Sequence, residues 1–454
     1  MSRRLALSLL LLLAGCSVGP NYKRPTLLPT DGYPVPETQE GDPQAQRLIP
    51  GRTPPRQWWT GFGAPALDEL VDQALRQNPT LSAANARLKM ANEDLRAEKG
   101  ALWPSLSINR DQTQQSYSSV PGAPGTFYNV TTQSVSISYR FDLFGGERRA
   151  IEGMAAQSDY ARYERAAACQ SLTANVVLAA LDVAMLQEQL EASRDIVASQ
   201  QELVSLVRAQ VQAGSAGQEA VLSAAARLDA RKADLNALSQ GLAQAQHRLA
   251  RLTGRTPAQR VAVDWKLADL TLPHDLPVSL PSEVVEQRPD IGAREALLHQ
   301  ASADIGVAQA NMLPHITLNG NYSTSVWYLT NSLWQPVFAG GRLRAQHRRA
   351  VDAYQAAAAD YRSAVLSAFQ NIADVLSALD NDNRIYASSM NTLASARAGL
   401  ALTRDRFEAG TISRITLLTE NEAFQQARIA SLQATANRYA DTIALFQAMG
   451  GSDE

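Results

Sequence analysis

The residue types that most often carry out chemistry are few in this chain and do not converge. Its five histidines are scattered, with no HExxH pattern and no metal-ligand spacing. They are His247, His274, His299, His315 and His347. Asp94 and Asp304 lie in helical patterns, where salt bridging or capping is the expected role. No GxxxxGKS/T segment provides for ATP hydrolysis. We therefore expect no catalysis, no metal and no dissociable cofactor.

Two glycine pairs stand where a predicted strand gives way to a long helical pattern. The segments are "LFGGERRAIEG" and "VFAGGRLRAQ", and their glycines are Gly145, Gly146, Gly340 and Gly341. A phosphate-binding loop would require GxGxxG spacing after a βαβ pattern, and neither is present. We predict instead that the four glycines provide the unusual backbone angles of a strand-to-helix turn.

The N-terminal residues are predicted to be a targeting signal. Two arginines precede the apolar run from Leu5 to Leu13, which is too short to span a membrane as a helix. The sequence "LLAGC" matches the lipobox of bacterial lipoproteins and ends at Cys16. We therefore expect residues 1–15 to be removed as a signal peptide and a lipid to be attached to the sulfur of Cys16. The residue after the lipidated cysteine directs sorting between the two membranes. Aspartate at this position would favour the inner membrane, whereas Ser17 favours the outer membrane.

Composition excludes several classes of partner and site. A net charge of −2 gives no electrostatic reason to expect nucleic acid. The second of the two cysteines is Cys169, which has no intrachain disulfide partner once Cys16 carries lipid. It lies on an apolar helical stripe, where we expect a small buried hydrophobic residue and not a reactive thiol. No helical membrane span is evident after the signal, so a spanning part is expected to be β-structure.

The chain contains two internal repeats. The segment "NPTLSAANARLKMANEDLRAEKGALWPSLSI" (78–108) aligns without gaps on "RPDIGAREALLHQASADIGVAQANMLPHITL" (288–318). Further on, "VQAGSAGQEAVL" (211–222) aligns with "FEAGTISRITLL" (407–418). The predicted divisions are an extended lipidated segment (16–64), a first repeat (65–252), an equatorial linker (253–288), a second repeat (289–449) and a tail (450–454).

Each repeat contains a long helix with apolar residues seven positions apart. In the first these are Val176, Val183, Leu190, Val197, Val204 and Val211, and in the second Ile372, Leu379, Tyr386, Leu393, Leu400 and Phe407. A strict seven-residue period predicts a left-handed coiled coil. About 65 residues at about 1.5 Å each would make a helix about 100 Å long. Gly214 and Gly410 follow these helices and predict tight antiparallel returns at the tips of two helical hairpins.

Each repeat also contains two predicted strands, at about 104–118 and 128–143, and at about 315–323 and 327–338. Val135, Ile137 and Tyr139 alternate with polar residues, as in a strand with one apolar face. Aromatic residues near the strand ends, such as Trp103 and Phe144, suit membrane interfaces. Four strands cannot close a membrane barrel, because the smallest have about eight. Two copies would supply eight strands and three would supply twelve, and the sequence permits both.

Several linked motifs resemble one family, the TolC-like outer-membrane factors, in the lipoprotein (NodT-type) branch that serves RND-type efflux pumps. The motifs are "CSVGPNYKRP", "WWTGFGAPALDELVDQAL", "LPSEVVEQRPDI", "GVAQANMLPHITL" and "PVFAGGRLRA". The resemblance implies a mainly α-helical homotrimer with a twelve-stranded β-barrel in the outer membrane of a Gram-negative bacterium. A twelve-helix α-barrel would continue it through the periplasm. It further implies passive export of small molecules delivered by an inner-membrane RND-type pump through a periplasmic adaptor.

The resemblance also implies a channel that closes at its periplasmic tip, where some members carry two aspartates one turn apart. The matching positions here are Thr416 and Thr419, so an acidic ring is not carried over. Arg414, Glu420 and Glu422 lie nearby. They would form pairs between subunits or belong to a solvated helix face.

Two other functions account for some or all of these sequence features. A coiled-coil envelope lipoprotein that forms no channel would use Cys16 and the seven-residue period but leave the four strands unexplained. An exit duct for a protein-secretion system would use every element with a different cargo. The lipoprotein leader favours efflux over secretion.

Overall fold

The computed structural model of the chain describes residues 17–26, 46–117 and 125–450. The predicted signal peptide, Cys16 and residues 451–454 of the predicted tail lie outside these ranges. The helices are α1 (Pro65–Gln77), α2 (Pro79–Gly100), α3 (Gly146–Gln212), α4 (Gln218–Leu252), α5 (Pro281–Gln287), α6 (Pro289–Ala310), α7 (Arg342–Glu408) and α8 (Arg414–Met449). The strands are β1 (Arg47–Pro50), β2 (Ser105–Tyr117), β3 (Thr126–Phe141), β4 (Asp275–Val278), β5 (His315–Ser323) and β6 (Trp327–Trp334).

The chain divides into two compact units. The first, here called the sheet unit, comprises Met1–Thr26, Asn85–Glu164 and Asp290–Ala364. The second, the core unit, comprises Leu27–Ala84, Arg165–Pro289 and Val365–Glu454. The predicted linker belongs wholly to the core unit, where its strand β4 pairs in parallel with β1.

The sheet unit contains one antiparallel sheet with the strand order β2-β3-β5-β6. Pairing of β3 with β5 joins the two repeats and sorts the side chains by polarity. The apolar positions pair as Val135–Tyr322, Ile137–Gly320, Tyr139–Leu318 and Phe141–Ile316, and the polar ones as Ser134–Ser323, Ser136–Asn321, Ser138–Asn319 and Arg140–Thr317. On the polar face, Asn321 Nδ2 donates to Ser136 Oγ at 2.8 Å, and Ser138 Oγ donates to Asn319 Oδ1 at 2.8 Å.

The last strand is shorter than the sequence predicts. It ends at Trp334, whereas the predicted strand continues to about residue 338. Pro336 has no backbone N–H for a strand ladder, so pairing stops before it. Gln335 Nε2 instead donates to the carbonyl oxygen of Met312 at 3.2 Å and anchors the turn.

The seven-residue stripes form the interior of the core unit. Val176 and Val183 on α3 and Ile372 on α7 are fully buried in one apolar cluster with residues from α1, α4 and α8. Tyr386, farther along the stripe of α7, is half-buried, and the guanidinium of Arg438 covers its ring at 4.2 Å. Cys169 is half-buried and packs against the same cluster.

Helix α3 is long and apolar enough to resemble a membrane span. Within the described residues, α3 contains an 18-residue window of mean hydropathy 1.5, so length and composition alone would allow it to cross a membrane. Inside the structure, 61% of that window is buried. This burial is typical of a core helix, which passes the same composition test as a membrane span.

The two hairpin tips have the same backbone geometry. Gly214 and Gly410 have φ angles of +73° and +72°, the left-handed conformation that favours glycine. At the first tip, the N–H of Ser215 donates to the carbonyl of Gln210 and that of Gly214 to the carbonyl of Val211. This pair of bonds is a Schellman cap, and the second tip repeats it at Thr411 and Gly410.

A matched pair of glycine substitutions tests this geometry. Gly410→Ala should lower stability by about 1 kcal/mol, because an alanine side chain disfavours positive φ. Gly399→Ala, inside α7, should be neutral or stabilising by up to about 1 kcal/mol, because alanine favours a helix and its Cβ would meet only Glu420 Oε2 at 3.6 Å. Thermal unfolding of the detergent-solubilised protein measures both, and equal shifts of the same sign would contradict the turn conformation.

Candidate functional site

The residues predicted at the second tip form contacts within one chain. Arg414, in the first turn of α8, donates from Nε to Glu202 Oε1 at 2.6 Å and from an Nη to Glu202 Oε2 at 2.9 Å. The hydrogen bond from Arg414 lowers the pKa of the Glu202 carboxyl. The two side chains of this intrachain pair between α3 and α8 remain 41% and 39% exposed.

The other predicted tip residues take less connected positions. The side chain of Ser413 caps α8 by accepting from the N–H of Thr416 at 3.2 Å. Thr419 Oγ1 donates to the carbonyl of Ile415 at 3.0 Å, one turn earlier. Both threonines are exposed, and Glu420 lies half-buried against Gly399 of α7. Exposed threonines thus stand at the two positions for which the family resemblance implied aspartates.

Glu422 joins three helices of the core unit. Its carboxylate accepts hydrogen bonds from Gln200 on α3, from Arg231 on α4 at 2.9 Å and from Gln426 on α8 at 3.1 Å. In the ion pair between these residues, the side chain of Glu422 is 14% exposed and that of Arg231 is 36% exposed, so water partly screens the pair only from the arginine side. Among the residues that the sequence singled out, Glu422 makes the most connections between helices.

Glu422 belongs to a longer row of polar contacts between α3 and α8, here called the polar seam. Its other pairs are Glu202–Arg414, Ser199–Asn421, Asp195–Gln425 and Glu191–Arg428. The α3 members are three or four residues apart, which places them on one helix face. Sequence reasoning missed this row, although the three-to-four spacing of polar residues beside the seven-residue apolar stripe was a usable signal.

The first strand–helix junction is held by an acidic cap. Both oxygens of the Asp142 carboxylate accept backbone N–H bonds, from Glu147 and Arg148, each at 3.1 Å. Gly145 has a φ of +76°, as predicted for a turn glycine. Gly146 is different: it begins α3 without a positive φ, and a Cβ there would meet the Cβ of Ala310 at 2.9 Å. Its role is therefore close packing of α3 against α6.

The second junction uses two left-handed residues. Gly340 and Gly341 have φ angles of +58° and +82°, and Cβ atoms built on them would meet no other atom within 4 Å. Arg342 N donates to the Ala339 carbonyl at 3.0 Å, which closes the turn before α7. These two glycines are required by backbone conformation, as predicted, and not by packing.

The segment that follows Cys16 lies on the first junction. Val18 N donates to the carbonyl of Phe144 at 2.9 Å, and a Cβ on Gly145 would meet the Cα of Ser17 at 2.8 Å. Arg149, whose side chain is 5% exposed, donates to the Val18 carbonyl at 3.1 Å and to Asn21 Oδ1 at 2.7 Å. The position of the residue next to Cys16 is thus set by a buried arginine and a turn glycine.

The same segment continues along α6. The ring of Tyr22 stacks on His299 with centroids 4.3 Å apart, and its hydroxyl donates to Glu295 Oε1 at 3.3 Å. Arg24 donates to Glu295 Oε2 from both Nε and an Nη, at 3.1 and 2.9 Å. Gly19 and Gly306 lie so close that a Cβ on Gly19 would overlap the Cα of Gly306. The part of the motif "CSVGPNYKRP" that follows its cysteine is therefore a docking segment.

Two carboxyl groups meet between α7 and α8. Burial raises the pKa of Asp441 from 3.8 to about 7, and a hydrogen bond with Asp382 and the charge of that residue act in the same direction. Near neutral pH, Asp441 therefore retains a proton that it would lose in an unfolded chain.

This pair predicts that stability falls as pH rises. Between about pH 4 and about pH 7 the folded chain binds the extra proton, so unfolding becomes easier as that proton is lost. Asp441→Asn should reduce this decline in melting temperature, by roughly a few degrees. The control is Asp380→Asn, which removes a carboxylate paired with Arg384 at 2.6 Å and should leave the decline in place. A wild-type melting temperature that rises over this interval would contradict the assignment.

Two antiparallel strands followed by one long helical hairpin, an arrangement that occurs twice in the chain, define a TolC-like outer-membrane channel subunit. The open-state MtrE outer-membrane channel of Neisseria gonorrhoeae matches with a TM-score of 0.82 and 26% identity, over 96% of this chain and 98% of that one. The expected fold class is thereby confirmed.

The chain belongs to the outer membrane efflux protein family, whose model matches residues 70–255 and 280–451. The pyoverdine export outer membrane protein OpmQ of Pseudomonas aeruginosa is 29% identical over 414 residues, with 87% of each chain covered. The probable outer membrane lipoprotein SilC of Salmonella typhimurium is 26% identical over 470 residues, with 98% of each covered. The protein is therefore an outer-membrane component of an efflux system.

Proposed function

We propose that three copies of this chain form a passive export channel in the outer membrane. The observation that carries the proposal is the open sheet: among the described residues, β2 and β6 each pair with one neighbour only. A lipid environment offers no water to satisfy the N–H and C=O groups of an unpaired edge. Pairing β6 of one copy with β2 of the next removes the edges, and three copies give the twelve strands expected of the family.

The distribution of side chains on the sheet supports this placement. Leu106 and Ile108 of β2 are 70% and 78% exposed on the apolar face, a wasteful arrangement in water but a suitable one against lipid. The opposite face carries the serine and asparagine bonds between β3 and β5. A closed barrel would turn that polar face toward a water-filled lumen.

The helical hairpins would continue the conduit into the periplasm and meet a periplasmic adaptor. Because each chain carries two similar tips, three chains would present six, which suits a ring-shaped partner. We assign delivery of the cargo to an inner-membrane RND-type pump, and anchoring to a lipid on Cys16. The docked segment beginning at Ser17 supports the anchor, because it would hold the lipid attachment point beside the sheet.

Small molecules are the favoured cargo, and the chain would catalyse nothing. OpmQ is a pyoverdine export protein by name, and export of a small molecule by a relative favours efflux over a duct for secreted proteins. The alternative of a coiled-coil envelope lipoprotein that forms no channel does not explain why the sheet has one apolar and one polar face.

Conductance in a planar bilayer is the direct test. The purified protein should produce discrete channels, and Arg414→Ala with Glu422→Ala should raise the mean conductance several-fold by breaking the polar seam that closes the tips. The control is Arg397→Ala, which removes an exposed arginine of α7 away from the seam. Assembled trimers that conduct no ions in any of these forms would overturn the channel proposal.

Cross-linking tests whether the tips form the gate. In a Cys169→Ser background, Thr416→Cys or Thr419→Cys should allow a thiol cross-linker to join neighbouring copies and abolish efflux without loss of trimers. A reducible cross-linker should let reductant restore efflux, whereas Thr392→Cys, at an exposed position in the middle of α7, should have no effect. Efflux that continues at full rate with fully joined tips would show that the gate lies elsewhere.

A further inference from the structure

The second strand–helix junction has an apolar cavity that no other part of the described chain fills. The cavity measures about 320 Å³ and is lined by Met312, Pro336, Val337, Phe338, Leu343 and Arg344, together with nearby backbone. Val337 and Phe338 are 92% and 90% exposed, far more than large apolar residues usually are in water. They lie just after β6, which ends at Trp334 and whose own apolar side chains are also exposed.

A cationic patch borders this cavity. Arg342, Arg344 and Arg348 are exposed, and within the described residues no carboxylate lies within ion-pair distance of any of them. The first junction is different, since Arg148 pairs with Asp142 at 3.1 Å and Arg149 with Glu152 at 2.6 Å. At the first junction, where the arginines are paired within the chain, the apolar residues Leu143 and Phe144 are half-buried.

The two junctions differ in what covers them. The first is covered by the segment that begins one residue after Cys16, with Ser17 against Gly145 and Val18 bonded to Phe144. The second has no covering segment among the described residues. The chain therefore provides one junction with a segment that carries its own lipid and leaves the other with apolar and cationic side chains exposed.

We propose that the second junction binds a phospholipid of the periplasmic leaflet of the outer membrane. The acyl chain lies against Val337 and Phe338 in the cavity, and the headgroup phosphate is held by Arg342, Arg344 and Arg348. Apolar surface followed by cations that have no carboxylate partner in the described chain matches the boundary between hydrocarbon and anionic headgroups. This inference rests on the proposed placement of the sheet in the membrane.

Photo-cross-linking identifies the occupant directly. A photoreactive amino acid at Phe338, in protein expressed in its own membrane, should yield on illumination a subunit heavier by one phospholipid. The same label at Leu402, which is exposed farther along α7, should capture none. A cross-link from position 338 to a second copy of the chain would overturn the lipid proposal and make this surface a subunit contact. A labelled protein that forms neither the phospholipid adduct nor the cross-link to a second copy would also overturn the lipid proposal.

Charge removal tests the headgroup contact. After reconstitution in nanodiscs containing phosphatidylglycerol, Arg344→Ser with Arg348→Ser should retain about thirtyfold less of that lipid by native mass spectrometry. Arg397→Ser with Arg404→Ser, an equal loss of charge on the same helix, should retain the wild-type amount. Equal retention in both double variants would refute the site. Trimer mass and channel conductance, recorded on the same samples, report separately on the proposed function.

Discussion

The constraint on which this architecture depends is the unpaired backbone at the two edges of the sheet. β2 has 13 residues and β6 has 8, and each has one side without a partner strand in the described chain. In water such edges invite aggregation, and in lipid they cost several kcal/mol for each unsatisfied group. A four-stranded sheet can satisfy these backbone groups only by pairing its edge strands with those of other copies. Oligomerisation is therefore required for insertion into the membrane.

Sequence patterns recovered the elements well because each depends on nearby residues. The alternation through Val135, Ile137 and Tyr139 marks a strand, and the seven-residue stripes mark buried helix faces. The pairing of β3 with β5 has no such local signal, because it joins residues almost 190 positions apart, such as Val135 and Tyr322. Gly320 shows the difficulty: a Cβ there would meet Ile137 Cγ2 at 2.8 Å, a packing need that no local pattern reveals.

The candidate gate was harder to predict for a related reason. On a helix surface, Glu202 and Glu422 look like any solvated carboxylate until a partner about 200 residues away is placed opposite them. The bonds they make are individually modest, since exposed ion pairs contribute about 0.2–1 kcal/mol. Beside the tip end of the seam lies a small apolar cluster around Val204 and Leu418. Weak contacts of this kind suit the proposed opening at the tips, whereas the dense core around Val176 and Ile372 suits a part that stays fixed.

The divergence of the two repeats follows from the single N-terminus. Each repeat has a helix that precedes a strand, α2 in the first and α6 in the second, but the described chain has one N-terminal segment, beginning at Ser17, to dock. In α6 the docking residues are Glu295, His299 and Gly306. The aligned residues of α2 are Asn85, Lys89 and Arg96, which offer neither the carboxylate for Arg24, nor the ring for Tyr22, nor the space beside Gly19. An arginine in place of Gly306 would fill the space beside Gly19 that the segment requires. The repeats therefore remain alike in their strands and long helices and differ at α2 and α6, where α6 has the residues that receive the segment beginning at Ser17.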